Sequence, residues 1–234
     1  MTEKSLTLAD QILTRIQNSI ITGEIEAGSK INEQTIAQKY GISRGPTREA
    51  LQALERQRLV VRIPHVGARV AKLSVSELNE LYQLRSVLEA TACELTAHNI
   101  TQTQLDQMQD LLDRQQQALD KGDDEFLFMS DIDFHYQIIQ ACGNRYLQET
   151  LIAGVYHLIC MYRYQCRGKK RPELAIKEHR QIFEAIAAGD GELASLLMRR
   201  HIERGRRNTE QKLIEQQQAQ DTLLTPYSQK EIIS

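Results

Sequence analysis

The sequence predicts a mainly α-helical protein in two parts. An N-terminal winged helix-turn-helix, of three helices and a β-hairpin wing, is followed by an all-α bundle of about six helices. Three observations predict this. Apolar residues recur at helical spacing along almost the whole chain. The two β-prone runs, 59–63 and 68–72, directly follow a helix, glycine turn, helix unit. Beyond residue 77 only helical periodicity remains, broken at Asn99, Lys121-Gly122, Gly143-Asn144, Gly168 and Gly189-Asp190-Gly191.

Composition sets the frame. The 234 residues are 26% charged and 41% apolar, as in an ordinary soluble chain. No run approaches the roughly 18 apolar residues of a membrane span. The opening MTEKSLTLADQ lacks the apolar segment of a signal peptide, so a cytoplasmic protein with no membrane partner is expected. Cys93, Cys142, Cys160 and Cys166 are scattered without Cys-x-x-Cys spacing and read as reduced, buried thiols. The net charge of −2 hides an asymmetry. Residues 30–73 hold nine Lys/Arg against three acids, a local +6 on a chain that is otherwise −8. That segment suits a polyanion.

The first helix spans about 7–22, with Leu8, Ile12, Leu13, Ile16 and Ile20 on one face and Gly23 as its stop. A short helix over 33–40 buries Ile36, Ala37 and Tyr40. Gly41 makes the turn and Ile42 plugs the core. Ser43 is placed to cap a third helix, 44 to about 57, with Pro46 in its first turn and Ala50, Leu51 and Leu54 as its buried stripe.

Basic residues at the start of the second helix of such a unit meet base edges in the major groove. Arg44 and Arg48 lie one turn apart and are suited to guanine or phosphate. Ser43 and Thr47 are short donors suited to phosphate oxygens. The runs LVVRI and ARVAK, joined by Pro64-His65-Val66-Gly67, form a wing. Its tip presents His65 and the Gly67 amide to a minor groove or backbone.

In the second part, Ser76 with the acids that follow is expected to cap the first of six helices, at about 77–98, 102–121, 124–142, 145–167, 172–188 and 191–217. The expected domains are 1–73 and 74–220, joined by a hinge over 72–77, with 221–234 a disordered tail. Asp131 and His135 are four apart and share a helical face, whereas Asp133 points about 200° away from Asp131. His179 and His201 also lie in helical settings. One carboxylate and three imidazoles suit a divalent transition metal. His98 reads as a helix-end residue, and His157 as core or chamber lining.

The stretch 24–70, with its basic run Ser43 to Leu51, resembles the winged helix-turn-helix of the GntR regulators. Leu84 to Glu89, Asp131 to His135, Gly143-Asn144, Glu178-His179 and Ala194 to His201 resemble the FCD ligand-binding domain of the FadR-type subgroup. The resemblance implies a homodimeric repressor on double-stranded operator DNA, with Ser43, Arg44, Thr47, Arg48 and Gly67 as contacts. Gly45 departs from relatives that carry a side chain there. The resemblance also implies that Asp131, His135, His179 and His201 hold the metal and that a small organic acid completes its coordination. Zinc is the first choice, with nickel or manganese as alternatives. Arg85 either pairs with Glu89 or clamps the acid. Asn144 either contacts the acid or caps a helix. Tyr82, Tyr136, Tyr162 and Arg163 have no assigned facing. Two rival readings remain: a regulator answering to metal alone, and a metalloenzyme with metal-activated water. Against the enzyme, no His-Glu-x-x-His motif supplies a base.

Overall fold

A computed structural model describes residues 7–166 and 172–224. The break expected at Gly168, and the tail from residue 225 onward, lie outside the described residues. The elements are α1 (Leu8–Ile21), α2 (Glu33–Tyr40), α3 (Arg44–Arg56), β1 (Val60–Ile63), β2 (Gly67–Val70), α4 (Val75–Asn99), α5 (Gln102–Lys121) and α6 (Asp124–Ala141). They continue with α7 (Arg145–Gln148), a π-helical turn (Glu149–Val155), α8 (Tyr156–Gln165), α9 (Pro172–Ala187) and α10 (Gly191–Leu224).

The N-terminal unit follows from local chemistry. Thr7 and Asp10 form a reciprocal capping box at the start of α1. Gly41 closes α2 in the left-handed region, φ 64°, where a Cβ would be strained. β1 and β2 pair antiparallel from Val60 opposite Val70 to Ile63 opposite Gly67. Ile12, Ile16 and Ile20 from α1 and Leu51 and Leu54 from α3 are buried, together with Val60 and Val70 of the wing. At the wing tip His65 has φ 61° and Gly67 has φ 100°. That bend folds the exposed tip back on itself.

The linker is shorter and more firmly held than a free hinge. Ser74, not Ser76, caps α4, accepting from the Glu77 amide at 3.2 Å. The run Ser74-Val75-Ser76-Glu77 carries the Ser-x-x-Glu spacing of such a cap. The Ser74 amide donates to the Tyr162 hydroxyl at 3.0 Å, and that hydroxyl lies 3.0 Å from Glu77 Oε2. Gln165 Nε2 donates to the Ile20 carbonyl at 2.8 Å, and Gln216 Nε2 to the Gln165 carbonyl at 2.8 Å. Thus α8 holds both the end of α1 and the linker.

In the bundle, α10 packs along α4, with Tyr82 against Thr209 and Asn79 against Glu210. The expected helix over 145–167 is broken. α7 gives way to the π-helical turn, and Val155 (φ −123°, ψ −12°) sets the start of α8. A π turn inserts extra backbone and re-aims the side chains beyond it. Helix α10 runs on to Leu224, so residues 221–224 are helical rather than part of a disordered tail. No helix among the described residues is long and apolar enough to cross a membrane.

Candidate metal centre and DNA-facing surface

Helices α6, α9 and α10 bring His135, His179 and His201 together, buried, with one ring nitrogen of each inside a common 4.8 Å. His201 Nε2 lies 3.2 Å from His135 Nε2 and 3.3 Å from His179 Nε2. Each far nitrogen has its own acceptor. His135 Nδ1 donates to Glu89 Oε2 at 2.6 Å, His201 Nδ1 to Glu178 Oε2 at 2.6 Å, and His179 Nδ1 faces Gln115 Oε1 at 3.4 Å. An ionised carboxylate only accepts, so the proton of each paired imidazole sits on Nδ1. The Nε2 lone pairs therefore converge on one point. Two ligands at about 2.0–2.1 Å from one zinc ion stand about 3.0–3.4 Å apart, which the observed spacings match. The residues fit a divalent transition metal.

Electrostatics agree. Burial pushes His201 down to about 3, against the opposing pull of Glu178. Burial, then the neighbouring imidazoles, holds His179 well below its ordinary value. Burial also lowers His135, although Glu89 opposes it. All three are neutral, as ligands must be. Burial alone would raise the Glu178 carboxyl, but hydrogen bonds from His201 and Arg204 outweigh it and hold Glu178 down to about 2. Glu89 is likewise kept ionised by Arg85 and His135 in spite of its burial.

The centre opens onto a cavity of about 910 Å³. Asp131 Oδ1 is 3.6 Å from His179 Nε2, while its other oxygen meets the Arg163 guanidinium. Arg85 reaches the same cavity. Its Nε is tied to Glu89 Oε1 at 2.5 Å, in a pair that is almost fully buried. Asn144 does not line the cavity. It is exposed and caps α7, accepting from the Leu147 amide at 3.1 Å, which corrects its assignment as an effector contact. Tyr82 and Arg163 face the cavity, Tyr136 is exposed, and Tyr162 turns to the linker. Asp133 is exposed, and His157, half-buried, lies outside the cavity wall. His98 Nδ1 bonds the Glu94 carbonyl of its own helix. Sequence reasoning missed Glu89, Gln115, Glu178 and Arg204 as partners of the site. The adjacency of Glu178 to His179 was the available signal for one of them. All four cysteines are buried and free. Burial raises Cys160 to about 12 and Cys166 to about 11, which makes them poor nucleophiles.

At the other end of the molecule, Ser43, Arg44 and Arg48 are exposed at the start of α3, and His65 is exposed at the wing tip beside half-buried Gly67. Ser43 makes no side-chain bond to the helix it precedes, so its hydroxyl is free of capping duty. Arg48 leans on Glu33 at 3.4 Å, largely exposed. Thr47 corrects the sequence reading. It is fully buried, and its hydroxyl donates to the Ser43 carbonyl at 3.0 Å, so it braces the start of α3 instead of facing a partner. Its spacing from Ala50, Leu51 and Leu54 puts it on the apolar stripe.

Comparisons with known proteins agree with this architecture. Residues 8–70 match the bacterial regulatory proteins of the gntR family, and residues 80–204 match the FCD domain. A probable D-xylose utilization operon transcriptional repressor of Paenarthrobacter nicotinovorans is 28% identical, covering 84% of this chain and 86% of that protein. The gluconate operon transcriptional repressor of Bacillus subtilis is 30% identical over 59% of this chain and 56% of its own length. Among solved structures, Escherichia coli McbR/YncC shares the fold, with a TM-score of 0.74 at 23% identity, covering 88% of this chain and 99% of that one.

The chain belongs to the GntR family of regulators with an FCD domain. It is a DNA-binding transcriptional regulator and not an enzyme.

Proposed function

We propose that this chain is a homodimeric repressor whose grip on its operator is set by a small organic acid bound against a divalent metal ion. The observation that carries this reading is the convergence of three neutral imidazoles at the wall of a large cavity, two of them with Nδ1 held by a carboxylate. His135, His179 and His201 would hold the ion, with Asp131 beside them. The bound metal would supply a Lewis-acidic position for a carboxylate. Repression is supported by the two operon repressors among the relatives.

On the DNA side, Arg44 and Arg48 are the leading base and phosphate contacts, with Ser43, His65 and the Gly67 amide on the backbone. Thr47 acts by holding the first turn of α3. The two ends are joined by α8, where Arg163 faces the cavity while Tyr162 and Gln165 hold the linker and α1. A shift of α8 on ligand binding moves the whole DNA-reading unit, biasing one arrangement of a pre-existing pair.

The test is metal content by mass spectrometry, paired with operator binding with and without candidate acids, for the natural chain and for His135→Ala/His179→Ala. Loss of both metal and acid response supports the reading. An acid response that survives loss of the metal overturns it.

A further inference from the structure

We propose that the chamber selects short acids carrying two negative charges, and that Arg163 is the residue that reads the second charge. The inference rests on the metal-anchored reading above and narrows its ligand class.

Among the described residues, three arginines line the cavity: Arg85, Arg163 and Arg204. Two of them have carboxylate partners that also hold a histidine. Glu89 bridges Arg85 and the His135 Nδ1 proton. Glu178 takes two bonds from Arg204, at 2.7 and 2.5 Å, and the His201 Nδ1 proton as well. Both carboxylates sit behind the imidazoles, on the side away from the convergent nitrogens.

The third pair is built differently. Asp131 touches no Nδ1 and instead lies beside His179 Nε2, on the inner side, while it neutralises Arg163. A cation drawing on Asp131 Oδ1 takes part of the carboxylate charge that now compensates Arg163. Arg163, only 11% exposed, then keeps a weaker share of its partner and has no second ion pair among the described residues.

Counting charges over the described residues gives the ligand. Without a metal, the three arginines are balanced by Glu89, Asp131 and Glu178. A divalent ion held by neutral imidazoles leaves the chamber at +2. Asp124 and Glu125 stand exposed at the rim, where water screens them. A monoacid removes one charge and leaves Arg163 unpaired in a low dielectric, which is unfavourable. A dianion removes both, with one group at the metal and one in a charge-assisted pair with Arg163. Leu127, Phe128, Ile176 and Ile202 also line the cavity and suit a short hydrocarbon spacer.

The experiment is titration calorimetry of the metal-loaded full chain against succinate and butyrate, and against glutarate and pentanoate, with bound metal measured in parallel. 3-Phosphoglycerate tests whether a phosphate can serve as the second charge. Each diacid should bind about 30-fold tighter than its matched monoacid. In Arg163→Met that ratio should fall to about 3-fold or less with the metal still bound, and Arg163→Lys should recover part of it. Asp131→Asn, kept metal-free, exposes Arg163 without any ion and should gain butyrate binding about 10-fold, a gain lost in Asp131→Asn/Arg163→Met. Equal binding of mono- and diacids by the metal-loaded natural chain, or an unchanged ratio in Arg163→Met, overturns the proposal alone. A chain that holds no metal and binds neither acid overturns the metal-anchored reading and this proposal with it.

Discussion

Arg48–Glu33 and Arg85–Glu89 join the same two residue types at opposite ends of the molecule, and they serve opposite ends. The first pair is long, 3.4 Å, and its arginine side chain is 63% exposed. It contributes little stability, so Arg48 can leave Glu33 for a phosphate at small cost. The second is 2.5 Å and sealed from water, with Glu89 also holding the His135 ring. Removing one member there strands a charge. A surface that must engage a partner keeps its cations weakly held. A chamber that must present lone pairs fixes its cations and carboxylates in place.

The largest expected effect tests the chamber. His135→Ala/His179→Ala removes two of three convergent nitrogens and should lower metal affinity by on the order of 10³-fold or more. Basal operator binding should be kept if the two ends are separable. Equilibrium dialysis and gel shift read the two halves of that statement.

Glu89→Ala sharpens the contrast between the pairs. It leaves Arg85 buried without a partner and should cost about 3–5 kcal/mol of stability, with metal affinity reduced about 10–100-fold through the loosened His135 ring. Denaturant unfolding checks the first number. Glu33→Ala, the matching change at the exposed pair, should alter stability by about 0.5 kcal/mol or less. Similar losses from both changes would erase the distinction drawn between them.

At the DNA end, Arg44→Ala should weaken specific operator binding by about 1–3 kcal/mol while metal content stays the same. Thr47→Val should act through folding of α3 rather than through the salt dependence of binding, because its hydroxyl faces the Ser43 carbonyl.

A further expected effect is one of pH. The metal-free chain keeps its three chamber histidines neutral, with pKa values below the unfolded value near 6.5. A depressed base binds fewer protons folded than unfolded, so stability is fully present above about pH 6.5 and declines as pH falls below it. For His201 the decline continues down to about 3. Melting curves between pH 7.5 and 5.5 should drop on the acid side, and added zinc should reduce the drop near neutral pH. A flat profile would place protonated imidazoles in the folded chamber.

Much of this was legible from local spacing. Asp131 and His135, four apart, were read onto one face, and the capping and turn residues of the N-terminal unit marked its helices. Thr47 shows a signal that was present but misread: its polarity suggested a surface role, while its spacing on the stripe with Ala50, Leu51 and Leu54 pointed inward. Ser74 is similar, since its Ser-x-x-Glu run marked the true cap. Other features had no local signal. Glu89 meets His135 across 46 residues, and Tyr162 meets Ser74 across 88, and no periodicity encodes such meetings.

By itself, the sequence determined the helices, the wing, the basic segment and the types of ligand available, because these depend on residues a turn or a hairpin apart. Tertiary structure decided which nitrogen of each histidine faces inward, which carboxylates lie behind the imidazoles and which one lies inside, and that α8 joins the chamber to the DNA-reading unit. Those are outcomes of packing α4, α6, α8, α9 and α10 around one cavity, where burial turns ordinary Arg–Glu pairs into fixed parts of the site.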